Sequence, residues 1–226
     1  MSHIYYTGIF SLIIQLITGL IDFYAINLTI PASFILIREL LMMELIVQII
    51  EFSFYIWMVL NFNQIKNITP IRYYDWIITT PTMLITFIFY LKFLSNQEKN
   101  IKSESFLIEL KKEWKLVLNI ILLNLGMLIS GYLGEQKIFS YLTTTLVGFM
   151  PFLLMFYIIY TNFAVQSKQG QKIFWYFSGV WSMYGIAAML PYKIKNSIYN
   201  ILDLFSKNFF GLFLAYVLYK VNNRAS

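Results

Sequence analysis

The sequence predicts an all-α integral membrane protein: a bundle of seven transmembrane helices with the N-terminus outside and the C-terminus inside. Three observations carry that prediction. The chain is 59% hydrophobic and 12% charged, with a mean hydropathy of +0.66, a balance that suits lipid better than a soluble core. Seven apolar stretches fill 6–25, 31–60, 70–94, 114–133, 138–162, 172–191 and 197–221, each near or above the roughly 20 residues a helix needs to cross a bilayer. The loop cations also fall on one side. With the N-terminus outside, Lys92, Lys99, Lys102, Lys111, Lys112, Lys115, Lys168, Lys172, Lys220 and Arg224 lie inside, against Lys66, Lys137, Lys193 and Lys195 outside. Ten against four follows the positive-inside rule. The spans use nearly the whole chain, so residues 1–226 read as a single membrane domain whose first partner is the lipid bilayer.

Span one has neither the basic leader nor the small-residue cleavage site of a signal peptide and is read as part of the mature protein. It carries Ser11, a small hydroxyl that suits a polar path or helix packing equally. Asp22, near its inner end, is assigned to snorkelling, as are Arg38 and Glu39 at the inner end of span two. Pro31 and Pro70 sit where a first helical turn tolerates proline, opening spans two and three. Glu44, Gln48 and Glu51 follow at offsets of four and seven, on one face of span two. Span three contains Arg72-Tyr-Tyr-Asp75-Trp76-Ile-Ile-Thr79-Thr80-Pro81. The connection after it, about 95–113, mixes lysines with Glu98, Glu104, Glu109 and Glu113. Its second half reads either as a short amphipathic helix on the inner leaflet or as a solvated loop. Pro151 should kink span five. Span seven brings Asn196, Asn200, Asp203 and Lys207 at offsets of four, seven and eleven, a single stripe over about three turns.

Composition also excludes classes. The net charge of +6 is mostly inside-loop charge with no compact basic domain, so nucleic acid is not an expected partner. There is no cysteine, hence no disulfide framework. No metal-ligand cluster, nucleophile triad or phosphate loop is present, and no enzyme activity is expected. His3 reads as a tail residue, and an oligomer of identical chains stays open because lipid-facing and subunit-facing surfaces look alike.

Lys207 is the most informative residue. An ammonium near the middle of a span costs about 2.5–3.5 kcal/mol on insertion scales and is a functional-site hypothesis by default. Asp203 lies one turn before it, and Asp75 supplies a second acid. Two acids and one amine at membrane depth suggest a buried cation with a counter-ion complex. The stripes on spans two and seven should face the bundle interior or a water-filled cavity. Such rows can replace the hydration of a moving cation or proton, or merely join helices. Glu44 and Glu51 are read as a pathway. Gln48, Asn196 and Asn200 stay open between the two.

Arg72 to Pro81 resembles the third helix of the microbial (type 1) rhodopsins, Arg-x-x-Asp-Trp-x-x-Thr-Thr-Pro. Asp203-x-x-x-Lys207 resembles their seventh-helix pattern, in which the lysine binds retinal. Trp181-x-x-Tyr184 is similar to the aromatic pair beside the polyene, and Met127-x-x-x-Gly131 to contacts at the ring end. The resemblance implies all-trans retinal bound covalently to Lys207 as a Schiff base, with Asp75, Asp203 and Arg72 as the counter-ion complex and Asp75 as first proton acceptor. It implies a pocket of Trp76, Thr79, Thr80, Met83, Asn124, Met127, Gly131, Phe149, Trp181 and Tyr184, with Thr80 and Asn124 joining helices three and four. Met83, at a colour-tuning position, implies green absorption.

Departures from the pattern bear on function. Thr86 stands eleven residues after Asp75, where outward proton pumps commonly carry an acid donor. Gly185 replaces a proline, and Ala188 a pocket tryptophan. The acids of span two and the asparagines of span seven resemble the first group of viral rhodopsins from giant algal viruses, regarded as light-gated cation channels, for which a host-cell membrane is one location. The expected function is a light-gated channel for small monovalent cations, with Ser11, Glu44, Gln48, Glu51, Asn196 and Asn200 along its path. The alternatives are an outward proton pump using Asp75, with protons as cargo, and a photosensor signalling through a separate partner.

Overall fold

The computed structural model describes residues 3–225, and the regular elements among them are all helical. In chain order they are α1 His3–Ile26, a 3₁₀ turn Ala32–Phe34, α2 Ile35–Leu60, α3 Thr69–Glu98, α4 Phe106–Glu135, α5 Tyr141–Asn162, a 3₁₀ turn Ala164–Gln166, α6 Lys168–Ala188, α7 Tyr192–Asp203 and α8 Phe209–Ala225. A π-helical turn, Leu204–Asn208, joins the last two, so one apolar helix runs over Tyr192–Arg224. With α7 and α8 counted as one, the long helices among the described residues number seven. The helices α1, α3, α4, α5 with its following turn, and the α7–α8 unit are long and apolar enough to cross a membrane. The other two are less uniform. α2 holds Arg38, Glu39, Glu44 and Glu51, and α6 opens on Lys168-Gln-Gly-Gln-Lys172.

Consecutive helices pack side by side, and α1 also packs against α7 and α8, which closes the ring. α3 runs through the middle, buried on most sides. Its Phe87 stacks on Phe177 of α6 at 4.0 Å and 8°, and Phe210 of α8 meets it edge-on at 6.3 Å, the latter a geometry the ring quadrupoles favour. α1 is the inverse of a soluble amphipathic helix. Phe10, Leu16 and Leu20 are exposed, whereas Gly8, Ser11, Gln15, Thr18 and Asp22 form the buried face. A lipid-facing side chain gains nothing from being polar, so the polar groups turn to the bundle.

Several end-of-span expectations change. Asp22 does not snorkel. It is fully buried, because α1 sits between α2 and α8 and this face points inward even near the helix end. Arg38 is tied down as well, its Nη2 donating to the Leu28 carbonyl at 2.5 Å. Residues 106–113 are neither a leaflet helix nor a solvated loop: they are the first turns of α4. Glu39 accepts the Phe106 N–H at 2.6 Å, satisfying one of the free amides of a helix start. Lys92 of α3 pairs with Glu109 at 2.9 Å and Glu113 at 2.6 Å. Lys195, counted above as an outside charge, is buried against Glu135 at 2.5 Å and lies 4.7 Å from the Tyr141 ring centre. Pro151 lies inside α5, which continues to Asn162. α3 and α4 both end in Schellman turns, with Asn100 (φ 56°) and Lys137 (φ 59°) in the left-handed region. The closing bonds run from Ile101 N–H to the Asn96 carbonyl, 2.8 Å, and from Ile138 N–H to that of Leu133, 3.1 Å.

Candidate functional site

Lys207 sits in the π turn, fully inside the bundle. A π turn widens the backbone spiral by one residue, and such turns recur at functional sites. Its amine donates to Asp75 Oδ2 at 2.9 Å. Glu51 Oε1 lies 3.1 Å away and Asp203 Oδ1 3.6 Å away, each as an ion pair. Asp203 lies one turn before Lys207 on the same helix, as the i, i+4 spacing predicts, and Asp75 comes to the amine from α3. The third carboxylate is new: Glu51 was expected along a path, and it also faces the amine.

Arg72, fully buried on α3, caps the other side. Its Nη1 reaches Asp203 Oδ2 at 3.5 Å, Nε donates to Asn196 Oδ1 at 3.1 Å, and Nη2 bonds to Asn200 Oδ1. Tyr55 and Tyr184 each donate a hydroxyl to Asp203 at 2.7 Å. Sequence reasoning missed Tyr55, although it extends the Glu44–Gln48–Glu51 stripe by one more turn. Two cations therefore face three carboxylates. Uncompensated charge is costly in a low-dielectric interior, so the surplus acid needs a proton or a mobile cation.

The asparagines are fully engaged. Besides Arg72, Asn196 donates to Thr69 Oγ1 at 2.9 Å, and Asn200 donates to the Ile4 carbonyl at 3.0 Å and Thr7 Oγ1 at 2.9 Å. Ser11 Oγ donates to the Asn200 carbonyl at 2.6 Å. Together they form a closed polar plug near the N-terminal end of the bundle. Beyond Lys207 the picture reverses. Glu44 accepts a hydrogen bond from Thr86, but its second oxygen, both amide atoms of Gln48 and Gln15, and both oxygens of Asp22 have no hydrogen-bond partner among the described residues.

An apolar slot opens between α3, α4, α5 and α6, with Lys207 and Ser206 in its wall. Eight of the expected pocket residues line it: Trp76, Thr80, Met83, Met127, Gly131, Phe149, Trp181 and Tyr184. Thr79 and Asn124 do not. Thr79 turns to the Asp75 carbonyl at 3.0 Å, and Asn124 donates to Thr80 Oγ1 at 2.8 Å, tying α4 to α3 behind the wall. Tyr73, Gly148 and Tyr199 add to the wall and carried no signal in the sequence. Tyr184 and Tyr199 meet the Trp76 ring edge-on at 5.7 and 5.1 Å. A Cβ at Gly131 would come within 2.5 Å of the Tyr73 hydroxyl, and one at Gly185 within 2.6 Å of the Phe149 ring, so these glycines leave no room for a side chain.

Comparison with known proteins agrees with the fold. A family model described as bacteriorhodopsin-like protein matches residues 3–221. Among solved structures, the viral rhodopsin OLPVRII superposes with a TM-score of 0.81 at 26% identity, over 96% of this chain and 98% of its own. The Exiguobacterium sibiricum rhodopsin gives 0.73 at 20% identity, over 99% and 97%. Xanthorhodopsin, a light-driven ion pump with dual chromophore, gives 0.73 at 16%, over 98% and 94%. No curated protein matched the sequence.

Proposed function

The chain belongs to the bacteriorhodopsin-like family and is an integral multi-pass membrane protein, and on that footing we propose that it is a retinal photoreceptor gating passive flow of small monovalent cations. The slot supports retinal as the cofactor: a lysine amine reaches the wall of a long apolar cleft bounded by Trp76, Trp181 and Tyr184. Bound to Lys207 Nζ as an imine, retinal would supply light absorption and an isomerisation that displaces the nitrogen. Asp75, Asp203 and Glu51 hold the positive charge at that nitrogen, and Arg72 with the two tyrosines fixes Asp203. The N-terminus is taken as outside, so the Arg72–Asn196–Asn200 plug is the outer closure.

One observation carries the channel reading. Glu51 belongs to the α2 stripe and also sits 3.1 Å from the Lys207 amine. Displacing that nitrogen must therefore disturb a residue of the path itself. The test is Glu51→Gln, read by two signals at once. A shifted absorption maximum together with an altered photocurrent reversal potential is expected, and a variant that moves neither removes the link.

A second reading, the outward proton pump, has its own observation. Glu44 is hydrogen-bonded to Thr86, so a carboxyl from α2 lies beside the α3 position that lacks one. Asp75 would accept the proton from Lys207 Nζ and Glu44 would return one. A photocurrent that stays outward near zero driving force favours this reading.

A further inference from the structure

The inner half of the bundle holds a second acidic centre. Asp22 of α1 and Glu44 of α2 stand on helices that pack against each other, and both are fully buried. Among the described residues neither has a lysine, arginine or histidine at ion-pair distance. Three of their four carboxyl oxygens, Asp22 Oδ1 and Oδ2 and Glu44 Oε2, have no hydrogen-bond donor. The Asp22 carboxyl rests on Gly211 of α8, where a Cβ would come within 2.5 Å of Oδ2. Only a glycine leaves that seat open.

The neighbours along the seam point the same way. Gly8 packs on Met58, which sets the register of the antiparallel α1 and α2. Equal steps from that contact bring Gln15 level with Glu51, Thr18 with Gln48 and Asp22 with Glu44. The two glutamines on these rungs are at least 98% buried, and neither amide has a partner among the described residues. Polar amides left unpaired at membrane depth are strongly disfavoured unless something hydrogen-bonds or coordinates them. Oxygen donors from carboxylates and amides, with no fixed cation at ion-pair distance, are the ligand set of a small hard cation.

We propose that Asp22 and Glu44, seated on Gly211, bind a monovalent alkali cation, and that the seam lined by Gln15 and Gln48 carries it toward Glu51 and Lys207. The proposal deepens the channel reading and rests on it for the direction of flow, whereas the binding itself does not need light. The test is infrared difference spectroscopy of the dark, retinal-loaded protein on exchanging sodium for N-methyl-D-glucamine, with pigment absorption as the folding check. Wild-type protein should show carboxylate-stretch bands that change with the cation. Asp22→Asn and Glu44→Gln should each remove part of that change. Gly211→Ala, which keeps both acids but fills the seat, should weaken it and raise the sodium concentration at half-change at least several-fold. Bands that do not respond to sodium, carboxylic-acid C=O bands in their place, or a response that survives Asp22→Asn would overturn the proposal. A photocurrent that never reverses alongside cation-sensitive bands would overturn the channel reading and leave the site standing.

Discussion

Lys207 and the acids around it divide the work of the centre, and substitutions should separate their shares. Lys207→Ala should form no visible pigment with all-trans retinal, because no other amine among the described residues lines the slot; a pigment that still forms would reject the covalent assignment. Asp75, the direct hydrogen-bond partner at 2.9 Å, stabilises a cation localised at the nitrogen, so Asp75→Asn should move the absorption maximum to the red. Glu51→Gln should do the same to a smaller degree and also alter ion selectivity, since its carboxylate faces both the amine and the α2 stripe. Lys207, Asp203 and Asp75 stood out in the chain because a charge at membrane depth has few innocent explanations, and the i, i+4 spacing puts two of them on one face; the place of Arg72 came only with the resemblance of the third span. Glu51 was half readable: its face was plain, but only three-dimensional packing puts it against the amine. Asp22 was misread because linear distance to a span end says nothing about which face points inward.

Among the helices, the buried contacts between elements define what holds the site in shape. The Lys195–Glu135 pair ties α7 to α4 beside the slot. Removing one partner of a buried pair leaves the other charge stranded, at about 3–5 kcal/mol. Lys195→Met should therefore lower the thermal stability of the pigment by about that much, and adding Glu135→Leu should recover most of the loss. Equal damage in the single and double variants would show that the pair matters only as packing. Glu98, exposed at the end of α3, accepts from the Ser167 hydroxyl at 2.7 Å and from the backbone N–H groups of Lys168 and Gln169, and so caps α6. Chiefly the Ser167 hydroxyl holds its carboxyl below the usual carboxylate range. An acid depressed in the folded state stabilises above its unfolded pKa and loses that contribution as the pH falls through its folded one. Amide protection factors in the first turn of α6, taken against the intrinsic exchange rate at each pH, should fall at acid pH, and Glu98→Gln should make them low at every pH. The start of α4 escaped sequence reading for a related reason. Glu109 and Glu113 look like loop charges until Lys92 of the neighbouring helix is seen to pair with them.

Taken whole, the molecule is an asymmetric polar core inside an apolar ring. One end is closed by Arg72 bonded to Asn196, Asn200, Tyr55 and Asp203. The other half carries acid and amide groups on α1 and α2, most of whose oxygens and nitrogens lack a hydrogen-bond partner among the described residues. Lys207 lies between them with three carboxylates in reach. That layout suits a trigger between a shut plug at one end and a polar path at the other, and the channel reading predicts flow that follows the gradient. Photocurrent–voltage curves at two ionic compositions test this most directly. The current should reverse sign, with a reversal potential that moves when the permeant cation is diluted on one side. A current that stays outward at every voltage and does not respond to the cation gradient would contradict it.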